Sequence, residues 1–544
     1  MSASNKDWWR GATIYQVYPR SYRDTNGDGV GDIPGITEKL PHIAWLGVDA
    51  IWISPIMKSP MKDHGYDVSD YQDIDPLFGT LDDFKTMLDR AHELGLKVIT
   101  DMIYSHTSDE HPWFKESRSS RDNPKADWYV WTDPKEDGNP VNNWISVFGG
   151  SSWQFHSERG QYYLHNFLKE QPDLNYHNPE VQDAMLAATR FWLDLGIDGF
   201  RLDALNFSIH DKQLRNNPGK PRQEGMKTAQ LDFLDPYAMQ QHIYDKSQPE
   251  MLVYLQRVRA LLEEYPGTMA LGEIGDDDEV GRAIEYSTDN RIHTCYNFQM
   301  IGVEPRNPAA LRGIVEHFEG RAGEAWPSWA FSNHDVTRAV SKWSKKFETD
   351  PRLAKMLPAL VTSLRGTAFI YQGEELGLPE TKMEYGDLQD PWAKFLWPKS
   401  QGRDGCRTPM PWKSGDPSLG FSDGTARPWL PINPAYNDLA VDVQAKDPES
   451  TMSFLKSFLA WRKGEAAMIT GDIKFFDTGS DKVLGFTRSK GDKTFICLFN
   501  FDEKGASVPL PKGAGNGPVF SWKGQTGAVN DNTVDLPAFG FFIS

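Results

Sequence analysis

Cysteine is nearly missing from this chain: its 544 residues include three, Cys295, Cys406 and Cys497. So sparse and odd a set gives no disulfide framework, and a reducing compartment suits it. No run of about 18 uninterrupted apolar residues occurs, which excludes a membrane-spanning helix. The N-terminal stretch MSASNKDWWRG lacks the basic-then-apolar pattern of a secretory leader. A soluble, cytoplasmic protein is the expectation. Positive charge is also short: 58 Lys and Arg against 76 Asp and Glu leave a net charge of -18. Nucleic acid and anionic membranes both require basic patches, so neither is expected as a partner. A neutral small molecule is compatible with this charge.

Aromatic residues are plentiful. The 19 Trp and 19 Tyr supply flat apolar faces with a polar edge, surfaces that stack on pyranose rings as well as fill cores. Segments 12–18, 49–54, 96–101, 199–203, 269–273, 294–299, 328–333 and 367–372 read as strands, and helical patterns lie between most of them. The stretch 81–94, apolar at Phe84, Met87, Leu88 and Ala91, is one such helix. Eight strand–helix repeats predict an α/β fold, a (β/α)8 TIM barrel. From 107 to 176 the alternation stops, and a stretch of that length predicts an inserted subdomain after strand 3. After a helical pattern at 451–462, short runs at 473–478, 483–488, 494–500, 506–510 and 541–544 predict a C-terminal antiparallel β-sandwich domain. The expected domains are therefore 1–106 with 177–463 for the barrel, 107–176 for the insert and 464–544 for the C-terminal domain.

The chemistry centres on Gly199-Phe-Arg-Leu-Asp203. Arg201 and Asp203, two apart on a strand, leave on the same face. A buried pair of this kind predicts an Asp203 whose pKa is lowered and which stays an anion at neutral pH, as a carboxylate nucleophile needs. A structural ion pair is the competing reading. Three more strand ends carry ionisable groups: Asp101 through His106, Glu273, and Asn333-His334-Asp335. The C-terminal ends of the strands are where a parallel barrel builds its site.

In this order, GFRLD, Gly272-Glu273, NHD at 333–335 and the Asp101…Ser105-His106 segment resemble the signature regions of the α-amylase family, glycoside hydrolase family 13. QPDLN at 171–175, QGEELG at 372–377 and RDGCRTPMPW at 403–412 resemble its α-glucosidase and oligo-1,6-glucosidase branch. The resemblance covers essentially the whole chain. It implies retaining cleavage of α-glucosides, with Asp203 as nucleophile, Glu273 as acid and base, and Asp335 as a third carboxylate that binds the sugar. It further implies substrate contacts from Asp63, Tyr66, His106, His334 and Arg403, with Arg201 orienting Asp203. Gln171 is expected at the entrance, and Arg407 as a structural residue. Phe148 and Phe167 are expected either as walls of the sugar site or as core. In this branch Val after the nucleophile goes with α-1,6 preference and Ala or Thr with α-1,4, so Ala204 implies maltose-like substrates.

The segment Asp24-Thr-Asn-Gly-Asp-Gly-Val-Gly-Asp32 places side-chain oxygens at alternate positions among glycines. It fails as an EF-hand, because the twelfth position is Gly35. The family resemblance implies a structural Ca2+ or Mg2+ held by Asp24, Asn26, Asp28, Asp32 and the carbonyl of Val30. An Asx-rich turn without metal is the alternative. No organic cofactor is expected. The polar stretch 206–249, broken by Pro218, Pro221 and Pro236, is expected to cover the pocket mouth, with a surface excursion as the alternative reading. Such a lid favours short substrates and transfer to alcohol or sugar acceptors in competition with water. Sucrose hydrolase, sucrose isomerase and trehalose synthase activities share the scaffold, and no RLDRD-type segment of sucrose isomerases occurs at 300–312. An inactive sugar-binding subunit would need a lost carboxylate. Monomer and dimer are both compatible with the sequence.

Overall fold

The computed structural model describes residues 6–221, 235–424 and 426–544. The expected lid therefore lies partly outside the described residues, at 222–234. Eight parallel strands close into a barrel in chain order: β1 (Thr13–Val17), β2 (Ala50–Ile53), β3 (Lys97–Ile103), β4 (Gly199–Asp203), β5 (Met269–Glu273), β6 (Thr294–Tyr296), β7 (Pro327–Trp329) and β8 (Thr367–Tyr371). The ring shuts where Thr13 pairs with Ala368 on one side of β1 and Ile14 pairs with Ala50 on the other. The principal helices after successive strands are α1 (Ile33–Leu46), α2 (Leu81–Glu93), α3 (Pro179–Asp194), α4 (Glu250–Glu263), α5 (Glu279–Tyr286), α6 (Pro308–Glu319), α7 (Pro351–Ser363) and α8 (Thr451–Lys463).

Strand alternation explains both layers of the core. One set of residues, including Ile14, Ala50, Trp52, Ile99, Met269, Leu271 and Phe369, packs together inside the barrel. The intervening set, including Tyr15, Ile51, Ile53 and Val98, packs with Ile36, Leu40 and Ile43 of α1 and Phe84 and Met87 of α2. On four strands the inward face turns polar toward the C-terminal end: Ile14 to Gln16, Ile99 to Asp101, Gly199 to Arg201 and Asp203, and Leu271 to Glu273. The charged side chains thus collect at one mouth of the barrel. Gly199 begins the strand with the nucleophile candidate because its φ is +150°, and a Cβ there would lie 2.1 Å from the carbonyl oxygen of Met269 on β5.

Local signals set the ends of elements. Thr80 and Asp83 form a reciprocal capping box at the start of α2. Asn178 caps α3 before Pro179. The sixth strand is shorter than its sequence pattern, because Asn297 accepts from the amides of Gln299 and Met300 and turns the chain into a short helix, Phe298–Ile301. The seventh ends at Trp329, since residues 330–333 leave the ladder, and β3 extends two residues past Asp101.

Between β3 and α3 stands a small antiparallel sheet of Trp131–Thr132, Trp153–His156 and Gln161–Leu164. Its Trp153 and Leu164 pack with Trp144, and with Leu214 and Tyr244 from the segment after β4. The described flanks of the expected lid therefore dock on this insert. At the C-terminus, Asp472–Phe476, Val483–Lys490, Lys493–Asn500 and Phe541–Ile543 form one antiparallel sheet, and Ala506–Pro509, Ala528–Asn530 and Thr533–Leu536 a second. The strands at 528–536 escape the sequence reading because they are three and four residues long and joined by a tight turn. Among the described residues no helix is long and apolar enough to cross a membrane.

Candidate active site

Arg201 is the hub. Its Nη1 meets Asp101 at 2.8 Å and Asp203 at 2.5 Å, while its Nη2 contacts Glu273. The parallel register that sets Asp101 beside Arg201 accounts for the first contact. One cation thus serves three carboxylates, and the arginine itself is 1 % exposed. This arrangement corrects the expectation for Asp203. Burial pushes its carboxyl up to about 7, with Asp101 and Asp335 adding to the effect, and Arg201 offsets only part of it. Glu273 goes further, up to about 8, through burial and the nearby Asp203 and Asp335. Asp101 rises to about 6, again through burial. Glu273 takes a proton before Asp203 does. At neutral pH the pair is poised as one acid and one base.

The backbone around Asp203 is specialised. Ala204 lies in the left-handed region, φ +43° and ψ +40°, and its amide donates to Glu273 Oε2 at 2.9 Å. The turn after the nucleophile candidate thereby positions the acid candidate.

Asp335 sits opposite. Arg407 Nη2 reaches its Oδ1 at 2.8 Å, Arg403 Nη1 at 3.5 Å, and His334 Nε2 reaches Oδ2 at 3.2 Å. Burial opposes charge on Asp335, but His334, Arg407, Arg403 and Arg201 outweigh it and hold the carboxyl well below the usual range. Burial pushes His334 itself well below the usual imidazole range, so it meets Asp335 as a ring N–H donor and the arginines supply the positive charge. Gln16 donates to His334 Nδ1 at 2.7 Å, which leaves the proton on Nε2, beside Tyr66 Oη and Asp335. The Tyr66 ring stacks on His334, with centroids 5.6 Å apart and planes 9° from parallel.

The far end is closed by Asp63 and Arg403, 2.7 Å apart. The loop carrying Asp63 and Tyr66 has Met61 and His64 at positive φ and is tied by Asp67, whose carboxylate accepts from the amides of Lys62 and Asp63. Arg403 is gripped in turn by Asp390, through Nε at 3.0 Å and Nη2 at 2.9 Å. Gln171 is wholly buried, donating to Asp63 and lying 3.0 Å from His106 Nε2. It belongs to the pocket wall, not the entrance, which corrects the sequence reading. His106 lies 3.1 Å from the carbonyl of Tyr66 and is pushed down to about 4 by burial, so its imidazole is neutral.

A single cavity of about 110 Å³ brings together Asp63, Tyr66, His106, Phe148, Phe167, Gln171, Asp203, Ala204, Glu273, Asp335 and Arg403. Arg201 and His334 stand directly behind this lining. Phe148 and Phe167 are walls, with ring centroids 6.0 Å apart. A roomier groove, about 640 Å³ along α3 and α4 and lined by Arg190, Asp194, Arg257 and Glu264, gathers no buried carboxylate pair. Sequence reasoning missed Asp390, Trp392 and Val147, and it assigned Arg407 to structure although its guanidinium holds Asp335. Asp390 followed by Pro391 is a helix-start signal, with Asp390 capping Pro391–Leu396, and it was legible. That this cap also grips Arg403 was not.

The Asp24–Asp32 loop lies apart from this cavity, at the entry to α1. Asp24 accepts from the amides of Gly27 and Gly29, Asp28 from Val30, and Asp32 from Thr25 and Gly35. Among the described residues no three acidic, His or Cys side chains converge as a metal cage. The donors are all oxygen, the kind hard cations take.

The charge order gives a pH profile. The form with Asp203 ionised and Glu273 protonated peaks between about 7 and 8. kcat/KM is expected to fall below this window as Asp203 gains its proton and above it as Glu273 loses its own. A stopped assay of glucose release from maltose, whose leaving hydroxyl needs the proton, reads both limbs across pH 5 to 10, and a flat alkaline side contradicts the acid assignment.

Comparison with known proteins places the chain in a family. The model of the alpha amylase catalytic domain matches residues 16–471, and that of the maltogenic amylase C-terminal domain matches 473–543. A probable alpha-glucosidase of Rhizobium meliloti (strain 1021) is 51% identical over 99% of this chain and 97% of its own length. An oligo-1,6-glucosidase of Parageobacillus thermoglucosidasius is 37% identical over 93% of this chain and 92% of its own. The crystal structure of the alpha-glucosyl transfer enzyme XgtA superposes with a TM-score of 0.95 at 50% identity, covering 98% of this chain and 99% of that one. With catalytic and C-terminal models matched in succession, and eight strands closed around the carboxylates, the chain belongs to the α-amylase family of glycoside hydrolases.

Proposed function

We propose that the protein is a retaining α-glucosidase that removes terminal α-1,4-linked glucose from maltose and other short α-glucosides, passing it to water or to an alcohol or sugar acceptor. The observation that carries this reading is the placement of Asp203 and Glu273 on the two Nη atoms of one guanidinium, with the opposite end of the cavity shut by Asp63 and Arg403. Adjacent carboxylates suit a retaining displacement, in which no water needs to fit between acid and base. Asp203 attacks the anomeric carbon as the glycosidic C–O bond breaks, and the Glu273 proton goes to the leaving oxygen. Glu273 then takes a proton from water or an acceptor hydroxyl, whose oxygen displaces Asp203 from the same carbon. Asp335, kept ionised, stabilises the positive charge that develops on the ring between these steps. The name of the Rhizobium relative supports the substrate class, and the transfer enzyme's fold supports acceptor use.

The test is parallel incubation with maltose, isomaltose, sucrose, trehalose and soluble starch, with and without glycerol, and separation of the products. Glucose from maltose, and glucosyl-glycerol when glycerol is present, are expected; starch cut as fast as maltose contradicts the closed cavity. Ala204→Val is expected to shift the maltose-to-isomaltose ratio toward isomaltose by roughly tenfold, because the added methyls crowd the second ring of an α-1,4 substrate. The left-handed backbone at Ala204 also strains a β-branched residue, so Tm should fall in the same variant. An unchanged ratio with a lowered Tm would assign this position to backbone geometry alone. A divalent cation on Asp24, Asn26, Asp28, Asp32 and the Val30 carbonyl would brace the entry to α1. Chelation is then expected to lower Tm while leaving kcat near its starting value, and an unmoved Tm removes the ion.

A further inference from the structure

The exo-acting reading above leaves one question about the cavity: what stops a sugar chain from running through it. The catalytic pair lies at one end, Asp335 in the middle through its contact with Arg403, and the Asp63–Arg403 pair at the other. One ring lies over Arg403 of that last pair, and a second packs against the first. Arg403 sits 5.4 Å from the centroid of Phe148, and Phe148 meets Trp392 at 5.6 Å. Trp392 is 7 % exposed and lines the cavity. It rides on the short helix Pro391–Leu396, whose cap Asp390 is the residue gripping Arg403. One turn further along, Phe395 is 70 % exposed, and Gly149 leaves it room, since a Cβ there would lie 3.3 Å from its ring.

We propose that Trp392, backed by Phe148, is the specificity-determining plug at the non-reducing end of the cavity, and that Phe395 is a ready aromatic face for a second glucosyl ring once the plug is removed. The ion pair recognises the terminal hydroxyls; the indole fills the volume a preceding ring would occupy. Two large rings from different segments, one in the insert and one after β8, meet at the cavity wall, the first of them over Arg403. Neither is needed for proton transfer or nucleophilic attack. Besides walling the sugar site, they fill the space beyond the ion pair, and removing an indole opens space of the order of a sugar ring.

The inference rests on the α-glucosidase reading, so the experiment keeps the two apart. Trp392→Ala and Phe148→Ala, each checked by circular dichroism and Tm, are assayed on 4-nitrophenyl α-glucoside, on maltotriose, and on a 4-nitrophenyl maltooligosaccharide whose non-reducing end is blocked by an acetal. The unaltered protein should release glucose from maltotriose and nothing from the blocked substrate; failure here overturns the exo-acting reading itself. Either variant should cleave the blocked substrate at least about tenfold above the parent's background and release maltose from maltotriose. If a folded variant still hydrolyses the nitrophenyl glucoside but leaves the blocked substrate intact in both cases, the plug is wrong. Collapse of both variants would assign the rings to holding the fold, and would overturn it equally.

Discussion

Asp203→Asn is expected to lower kcat/KM on any α-glucoside by about 10⁴-fold or more, the scale seen when a covalent nucleophile is lost. The amide is nearly isosteric and its oxygen can still accept from Arg201, but it cannot form the glycosyl ester. The structure adds a second expectation. Three carboxylates now share one guanidinium, and removing one negative charge from that buried cluster relieves repulsion. The inactive variant should therefore be at least as heat-stable as the parent. Steady-state rates together with a thermal melt test both halves. Retention of more than about a tenth of the parent's activity would mean that another group attacks the anomeric carbon.

Glu273→Gln has the second-largest expected effect, and its size should depend on the leaving group. With maltose the departing hydroxyl needs a proton, and general-acid assistance is worth about 10²- to 10⁴-fold. A nitrophenyl glucoside departs as a stabilised anion and should lose much less in its first, glycosylation step. The alkaline limb set by Glu273, pushed up to about 8, should also vanish from the variant's profile. Pre-steady-state measurement of the glycosylation step for both substrates separates these outcomes, and equal losses would end the acid assignment. Glutamine keeps an oxygen for the amide of Ala204, so a structural change is not the expected cause.

The barrel was legible because its strands alternate with helices and three of them end in charged side chains, at Asp101, Asp203 and Glu273. The site was legible as a list because GFRLD, Gly272-Glu273 and NHD carry strong residue preferences at strand ends. What sequence could not supply was the sharing of partners. From the Arg201–Asp203 spacing, one arginine for one aspartate follows, with a lowered pKa. In the barrel the register brings Asp101 to the same guanidinium and β5 adds Glu273, so burial wins and both catalytic candidates titrate near neutrality. Arg407 was read as structural for the same reason. Its contact with Asp335 joins segments 72 residues apart, and no local pattern encodes that. Gln171 followed its motif to an entrance, yet it is buried because the insert folds back over His106 and Asp63. Strand ends misjudged at β6 trace to one side chain, Asn297, whose capping bonds favour a helical turn over continued extension.

The most direct test of the central claim is to catch the intermediate. A fluorinated α-glucosyl fluoride that forms the glycosyl ester faster than it is hydrolysed is added, the protein is digested at low pH, and its peptides are weighed. The account predicts that the peptide spanning Gly199-Phe-Arg-Leu-Asp203 gains one fluoroglucosyl residue on Asp203, with none on Glu273 or Asp335. A label on either of those carboxylates, or turnover of the reagent with no labelled peptide at all, would contradict it.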